Sequence, residues 1–415
     1  MQSLRIAVIG GGTAGLASSI LLARDHHQVD LFETLAKPLP IGSGILLQPQ
    51  GLYALKKLDL LDGILKVGSR VNALQGLSHR GRQIMDFHYA DLEPNLFAVG
   101  IHRGQLFQQL WDAAKAAQVN IRCDHNITHL EQREQVSLSS DDQTYADYDL
   151  VIIANGTWSK LRQQLNIPYK KRLYPWGAIW SIWSDIEQRC HSILDQRYHH
   201  ASTMIGLLPT GQPPQQKHHC VSFFWSLEAK RYDDWKQQSF QDWRNSNFRL
   251  WPELEDFWPA HTTHEDFTFA RYADVVMTHW HDGKTVVIGD AAHAMSPQLG
   301  QGANMALTDA VHLCEELKTH QSVENALAAY SHNRRKHLKY YQYASRMLTP
   351  FFQSNSRLLG WMRDLVFPPM KYIPLAKKHA LSTLTGVKPS LLSNKPIYDL
   401  KDISHKLNST DTINS

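Results

Sequence analysis

Cysteine is scarce in the 415-residue chain: Cys123, Cys190, Cys220 and Cys314 lie far apart and form no Cys-x-x-Cys pair. That usage excludes a disulfide framework and predicts a reducing compartment. Long apolar runs are missing too, since no uninterrupted stretch approaches the ~20 residues needed to cross a bilayer. Neither sign of charge dominates: 43 Lys and Arg against 39 Asp and Glu leave +4. The charges read as scattered, with no stripe for nucleic acid. The 23 histidines include pairs starting at 26, 199 and 218. None has Cys or carboxylate partners at ligand spacing, so no metal site is predicted. At the N-terminus, Leu4 to Ile9 runs directly into glycines and leaves no room for a signal peptide. A soluble cytoplasmic protein of two or three structural units is expected.

Glycine, in contrast, is concentrated in two informative places. In "RIAVIGGGTAGLASSI", the apolar run from Leu4 to Ile9 predicts a strand buried on both faces of a parallel sheet. Gly10, Gly12 and Gly15 follow in G-x-G-x-x-G spacing, with Ala14 inside the motif, and "LASSILLARD" then has helical apolar spacing. The first glycine of such a motif permits a tight turn, the second lets a pyrophosphate approach the backbone, and the third lets helix and strand pack closely. The helix start offers free N–H groups to the diphosphate. A second apolar run, "VDLFE", ends in Glu33, roughly 20 residues on, where an acidic side chain accepts from ribose hydroxyls. A dinucleotide site is predicted, and this motif alone does not separate NAD from FAD.

The second cluster does. "KTVVIGDAAHAMSPQLGQGANMALTDA" again opens as a buried strand and reaches Gly289-Asp290 at its end. A carboxylate there can accept hydrogen bonds from a polyol chain, which FAD has in its ribityl and NAD lacks. After Pro297, Gly300 and Gly302, the segment from Ala303 and Asn304 onward has helical spacing. Its N-terminus would stabilise negative charge on a reduced flavin ring. One long ligand, FAD, accounts for both clusters.

From residue 4 to 345 the chain resembles the single-component FAD-dependent aromatic hydroxylases, the group that includes p-hydroxybenzoate, salicylate and ubiquinone-pathway hydroxylases. "GSGILLQPQGLYALKKL" is similar to that family's segment after the second strand, with Gly42, Gly44 and Pro49 in place. "GIHRGQLFQQL" resembles its Arg-x-x-Leu segment, which implies Arg103 near the FAD diphosphate. "GDAAHAMSPQLGQGAN" matches its Gly-Asp motif, implying that Asp290 binds ribityl and Pro297 sits beside the ring. "YDLVIIANGTWSKLR" departs from it, because Asn155 stands before Gly156 where the family has Asp; Ser159 and Arg162 keep their places. The family Asp is associated with FAD and with handling the nicotinamide, so Asn155 bears on reduction more than on FAD binding. The resemblance implies a monooxygenase that uses NADPH or NADH and O2, through a flavin C4a-hydroperoxide, on a small aromatic or heteroaromatic substrate. No second G-x-G-x-x-G is present, which suits a nicotinamide that docks transiently. Pro297 and His293 are candidates at the ring, and His88 or His293 for a general base, although His293 reads more readily as a structural residue of its loop. Two alternatives stay open. One is a related flavoenzyme such as an epoxidase, halogenase or reductase, although the halogenase segment W-x-W-x-I-P is absent. The other is a catalytically impaired FAD-containing binding protein.

Between 173 and 271 lie Trp176, Trp180, Trp183, Trp225, Trp235, Trp243, Trp251 and Trp258. The partial alternation of "GAIWSIW" and "HHCVSFFWSL" predicts an antiparallel substrate sheet. Each Trp is more readily sheet core than pocket, although aromatic walls would suit a planar ligand. The fold class expected is α/β: a discontinuous Rossmann-like FAD-binding domain (1–73, 99–172 and 272–345), with a hairpin (74–98) and a sheet domain (173–271) for substrate. A helical segment (346–400) mixing apolar and basic residues would cap the flavin domain, meet a second subunit of a homodimer, or touch a membrane surface. The end, 401–415, reads as a disordered tail.

Overall fold

The computed structural model describes residues 2–39, 42–140, 143–390, 393 and 396–411. The first apolar run becomes the strand Arg5–Ile9, with Ile6, Ala7 and Val8 wholly buried. It is an inner strand of a six-stranded sheet in the order Asn120–Cys123, Gln28–Glu33, Arg5–Ile9, Leu150–Ile153, Thr285–Val287, His281–Asp282. Every pairing is parallel except the last. From Arg5–Ile9 the chain first crosses to Gln28–Glu33 on one side and later enters Leu150–Ile153 on the other. The strand order therefore reverses at Ile9 and Ile153, and the crevice beyond such a reversal is where open α/β sheets bind ligands. The helix Thr13–Arg24 packs against the helix Gly302–Thr319, so the two glycine clusters, distant in sequence, open adjacent helices. Two three-stranded antiparallel sheets complete this part of the molecule. One contains Gly44–Leu47, Ala98–His102 and Ser69–Val71, the other His129–Gln132, Val136–Ser139 and Thr144–Tyr148.

A seven-stranded sheet forms the second unit: Thr268–Met277, Tyr169–Ser184, Cys220–Glu228, Thr203–Gly211, Ile193–His199, Ala73–Ser78 and Gln83–His88, in that order. The hairpin around Arg80-Gly81-Arg82 joins it through a parallel pairing of Ala73–Ser78 with Ile193–His199. Its edge strand Thr268–Met277 and the neighbouring Tyr169–Ser184 cross the boundaries read at 173 and 271, because they pair from Tyr169↔Met277 onward.

Register assigns the two faces. Thr268, Trp180, Phe224, Gly206, Gln196 and Gly76 are successive cross-strand partners and share one face. Ser222 lies two residues from Phe224 on that face, and its Oγ accepts from the Gly44 amide at 3.2 Å. This face therefore looks onto the flavin unit. The opposite face carries Ile179, Trp183, Ile205 and Phe223, buried with Trp235, Trp243, Trp251 and Trp258. Most of the eight tryptophans between 173 and 271 thus form a core behind the sheet. On the flavin side, a Cβ on Gly206 would lie 2.0 Å from Phe224 Cζ. Gly206→Ala is expected to lower stability by ~1–3 kcal/mol in urea unfolding, as overpacking does, and adding Phe224→Ala is expected to recover part of the loss.

The C-terminal region corrects one expectation. Residues 400–411 are not a disordered tail but the helix Leu400–Asp411. Leu400, Ile403 and Leu407 are buried at helical spacing, and Lys56–Asp402 (2.6 Å) and Lys406–Asp62 (2.8 Å) pin it to the flavin unit. Residues 412–415 lie outside the described residues. The helix Pro374–Leu384 and the turn after it cap the flavin unit: Gln301 Nε2 donates to Leu384 O at 2.6 Å, and the Gln50 amide to Thr385 O at 3.1 Å.

Candidate active site

At the sheet's reversal point two turns touch. Gly10 has φ +108°, and a Cβ there would lie 2.7 Å from both Ala154 O and Asn155 Cα. A Cβ on Gly15 would meet Gly10 O at 1.9 Å, whereas one on Gly12 would meet nothing within 4 Å. The turn is thus closed by Gly10 and Gly15 and open to a ligand at Gly12. Glu33 accepts from the Gly11 and Leu35 amides at 2.8 and 2.9 Å. Its carboxylate holds the turn with acceptor capacity left for ribose hydroxyls. Asn155 Oδ1 is buried with no partner among the described residues.

The second cluster faces the first. Gly289 has φ +60°, and a Cβ there would lie 2.8 Å from the buried Ala14 Cβ. Asp290 opens the short helix Asp290–His293 and its side chain is exposed. Burial of its surroundings nevertheless pushes the carboxyl above the usual range, with His293 and Arg103 opposing. An exposed carboxylate that is also desolvated faces a cleft enclosed by protein. Oδ1 lies 3.8 Å from where a Gly302 Cβ would be, and a Cβ on Gly300 (φ +61°) would meet nothing within 4 Å. Pro297 is exposed at the turn Pro297–Leu299, and Ala303 is half-buried in the first turn of Gly302–Thr319. Arg103 is exposed at the start of the helix Arg103–Ala116, its amide donating to Ser43 O at 2.9 Å. Two open glycine edges, a cleft-facing carboxylate and an orphaned amide oxygen fit an extended FAD with its diphosphate at the first turn.

Behind this surface is a buried scaffold that motif spacing does not reveal. Asp309 accepts from the Gly289 amide (2.9 Å), His293 Nε2 (2.5 Å), and Arg334 Nε (3.1 Å) and Nη2 (2.8 Å). Burial alone would raise the Asp309 carboxyl, but the His293 and Arg334 charges and these hydrogen bonds outweigh it and hold it well below the usual range. His293 thereby anchors the Gly-Asp turn, the structural role that its loop position favours over ring-side proton transfer. His88 is also far from such a role, because it is exposed at the end of the edge strand Gln83–His88, 3.2 Å from Asp86. Asn304 spends its side chain on protein, accepting from the Gln48 amide (2.9 Å) and donating to Leu46 O (3.0 Å) and Gly300 O (2.8 Å). Any cofactor contact it makes runs through its main chain. The fully buried Arg162 bridges Ala291 O and Thr157 O, tying the Asn155 segment to the Gly-Asp turn.

Comparison with known families matches residues 3–342 to the FAD binding domain family. The chain belongs to that family. It is 27% identical over 332 residues to a putative FAD-dependent monooxygenase, YetM, of Bacillus subtilis, covering 78% of this chain and 87% of that protein. A probable 2-heptyl-3-hydroxy-4(1H)-quinolone synthase, AqdB2, of Rhodococcus erythropolis is 26% identical, covering 94% of this chain and 98% of its own. The crystal structure of Klebsiella pneumoniae HpxO complexed with FAD and uric acid superposes with a TM-score of 0.76 at 17% identity, over 92% of this chain and 97% of that one. The protein is an FAD-dependent monooxygenase, an oxidoreductase of α/β fold.

Where the two units meet, a cavity of 620 Å³ is lined by Gly42 and His102, by Trp180 and Ile182 of the flavin-facing row, by Ser181 and Trp183 of the opposite face, and by residues 259–262 and Asp266. Its volume is in the range of small-molecule sites. His102 Nδ1 accepts from the Gly104 amide at 3.1 Å, which leaves the ring proton on Nε2, and burial lowers its pKa. His102 directly precedes Arg103 in "GIHRGQL", yet only the meeting of the two units assigns it to a cavity.

Proposed function

We propose that the flavoprotein uses NADPH or NADH and O2 to hydroxylate a small aromatic or heteroaromatic substrate seated against Trp180. The observation that carries this reading is that Trp180 belongs to the flavin-facing row of the sheet and also lines the cavity reaching Gly42 and His102. An indole face offers a planar ligand area with orientation, and relatives are named for a quinolone and for 3-amino-4-hydroxybenzoate. When bound, FAD supplies the redox chemistry, taking hydride from the nicotinamide and activating O2. The protein's residues orient and exclude water: the Gly10–Gly15 turn seats the diphosphate, Asp290 the ribityl, and the sheet face covers the ring. His102 is placed to exchange a hydrogen bond with a substrate hydroxyl. The four unbridged cysteines suit a reducing cytoplasm.

The test is anaerobic bleaching of the yellow enzyme by NAD(P)H against a panel of phenols and heteroaromatics, followed by ¹⁸O2 incorporation into product. One compound that speeds bleaching and gains a labelled oxygen is the expected result. Bleaching that no aromatic accelerates, with label appearing only in peroxide and water, would defeat the proposal. With a compound in hand, Trp180→Ala is expected to raise KM by about tenfold, the worth of one good ring contact, with a smaller change in kcat.

A further inference from the structure

The charges that read as scattered are not so in the last quarter of the chain. Residues 325–398 contain 12 Lys and Arg against one acidic residue, Asp364, whereas the rest of the chain has 31 against 38. Arg334, Arg363 and Lys388 are buried and Lys371 and Lys377 face Asp86 and Asp91, while Arg335, Lys336, Lys339, Arg357 and Lys378 are exposed. The same region carries most of the exposed bulky apolar side chains. On the helix Arg357–Met370, Leu358 (63%), Trp361 (62%), Met362, Leu365 and Val366 are exposed at spacings that put them on one face. Tyr372 (77%), Ile373 and Leu375 continue the exposure around the following turn.

The opposite face of this helix is firmly seated. A Cβ on Gly360 would lie 2.8 Å from the Ala201 amide, so the helix rests on backbone. Arg363 is wholly buried, stacks over Tyr198 at 4.7 Å and donates to Phe351 O at 3.2 Å. Its charge is balanced by Asp364, at 2.7 Å. The one acid of the region is therefore spent on an internal pair, and the apolar row is held outward by packing behind it.

We propose that this face, from Arg357 to Leu375, docks the protein peripherally on a bilayer containing anionic phospholipid. Leu, Trp, Met and Val on one helix face, flanked by the exposed Arg357 and Lys378, is the composition that lies in the headgroup–acyl boundary, and cations near an anionic leaflet add attraction that salt screens. No described helix is long and apolar enough to cross a membrane, so the contact is a surface one. A second copy fits less well, because a two-fold interface sets a patch against itself and would bring the basic surroundings together. The inference does not depend on the substrate proposed above.

Flotation of the full-length flavoprotein with vesicles tests it. Binding to phosphatidylcholine vesicles containing phosphatidylglycerol is expected to exceed binding to phosphatidylcholine alone by about tenfold or more, and to fall at high salt. Trp361→Ser with Leu365→Ser is expected to lower it by about tenfold or more on the mixed vesicles, and Arg357→Glu with Lys378→Glu to remove the preference for the anionic lipid. All four positions are exposed, and the variants should keep the wild-type circular dichroism and flavin spectrum, which separates lost docking from lost fold. The proposal is overturned if the protein ignores both vesicle types, if it binds them equally, or if the serine variant floats like the wild type. It is equally overturned if sedimentation shows the wild type self-associating through Trp361 and Leu365, since a second copy would then cover the face.

Discussion

Gly12→Val is expected to give a protein that folds and melts like the wild-type apoprotein but is purified colourless. A Cβ there would meet no atom of a distant segment within 4 Å, and the backbone at φ −81° accepts any residue. The branched side chain instead occupies the space through which a diphosphate reaches the helix N-terminus. A rise in Kd for FAD of ~100-fold, or about 3 kcal/mol, is expected by titration of the apoprotein. Gly15→Ala should behave differently, because its Cβ would lie 1.9 Å from Gly10 O; it is expected to lower the melting temperature of the apoprotein itself. If Gly12→Val bound FAD like the wild type, the diphosphate would not lie at this turn.

The second large effect is expected at Asp309. Asp309→Ala leaves Arg334 and His293 buried without their shared carboxylate and takes the acceptor from the Gly289 amide. Breaking a buried pair by removing one partner costs ~3–5 kcal/mol, measurable by urea unfolding, and the loosened Gly-Asp turn should weaken FAD retention as well. The pH dependence has a definite sign. The Asp309 carboxyl sits well below the usual range in the folded state, while the unfolded chain titrates near pH ~3.9. Its contribution is therefore complete above that unfolded value and is lost as pH falls through the folded one. The stability gap between wild type and Asp309→Ala should stay level from neutral pH down to about 5 and narrow below about 4. A gap that instead widened in acid would contradict the assigned charge state.

The two positions also differ in what makes them visible. Gly12 is legible in the sequence because a phosphate turn depends on the backbone conformation and side-chain size of consecutive residues, and spacing records both. The strands Arg5–Ile9 and Gln28–Glu33 are legible for a similar reason, since short apolar runs ending at turns leave few alternatives. Asp309 is hidden inside a helical pattern: nothing local distinguishes a helix carboxylate facing solvent from one facing a His and an Arg brought in from two other segments. The eight clustered tryptophans suggest aromatic walls, but only strand register puts Trp180 on the flavin-facing row and Trp183 on the opposite face, where it packs into the rear core and reaches the cavity only at its edge. The helix Leu400–Asp411 reads as a tail because its polar residues outweigh its apolar ones, whereas Leu400, Ile403 and Leu407 acquire meaning only against the surface they cover.

The sequence by itself therefore determined the cofactor class, the parallel flavin sheet and the residues of both turns, because each depends on local backbone chemistry or on short-range periodicity. Only the tertiary structure decided that Asp309 is the partner of His293 and Arg334, that Asn304 is consumed by the protein, that His102 and Trp180 share a cavity, and that the row from Leu358 to Val366 faces outward. Those roles are set by which distant segments meet, and long-range contacts leave no fixed spacing along the chain.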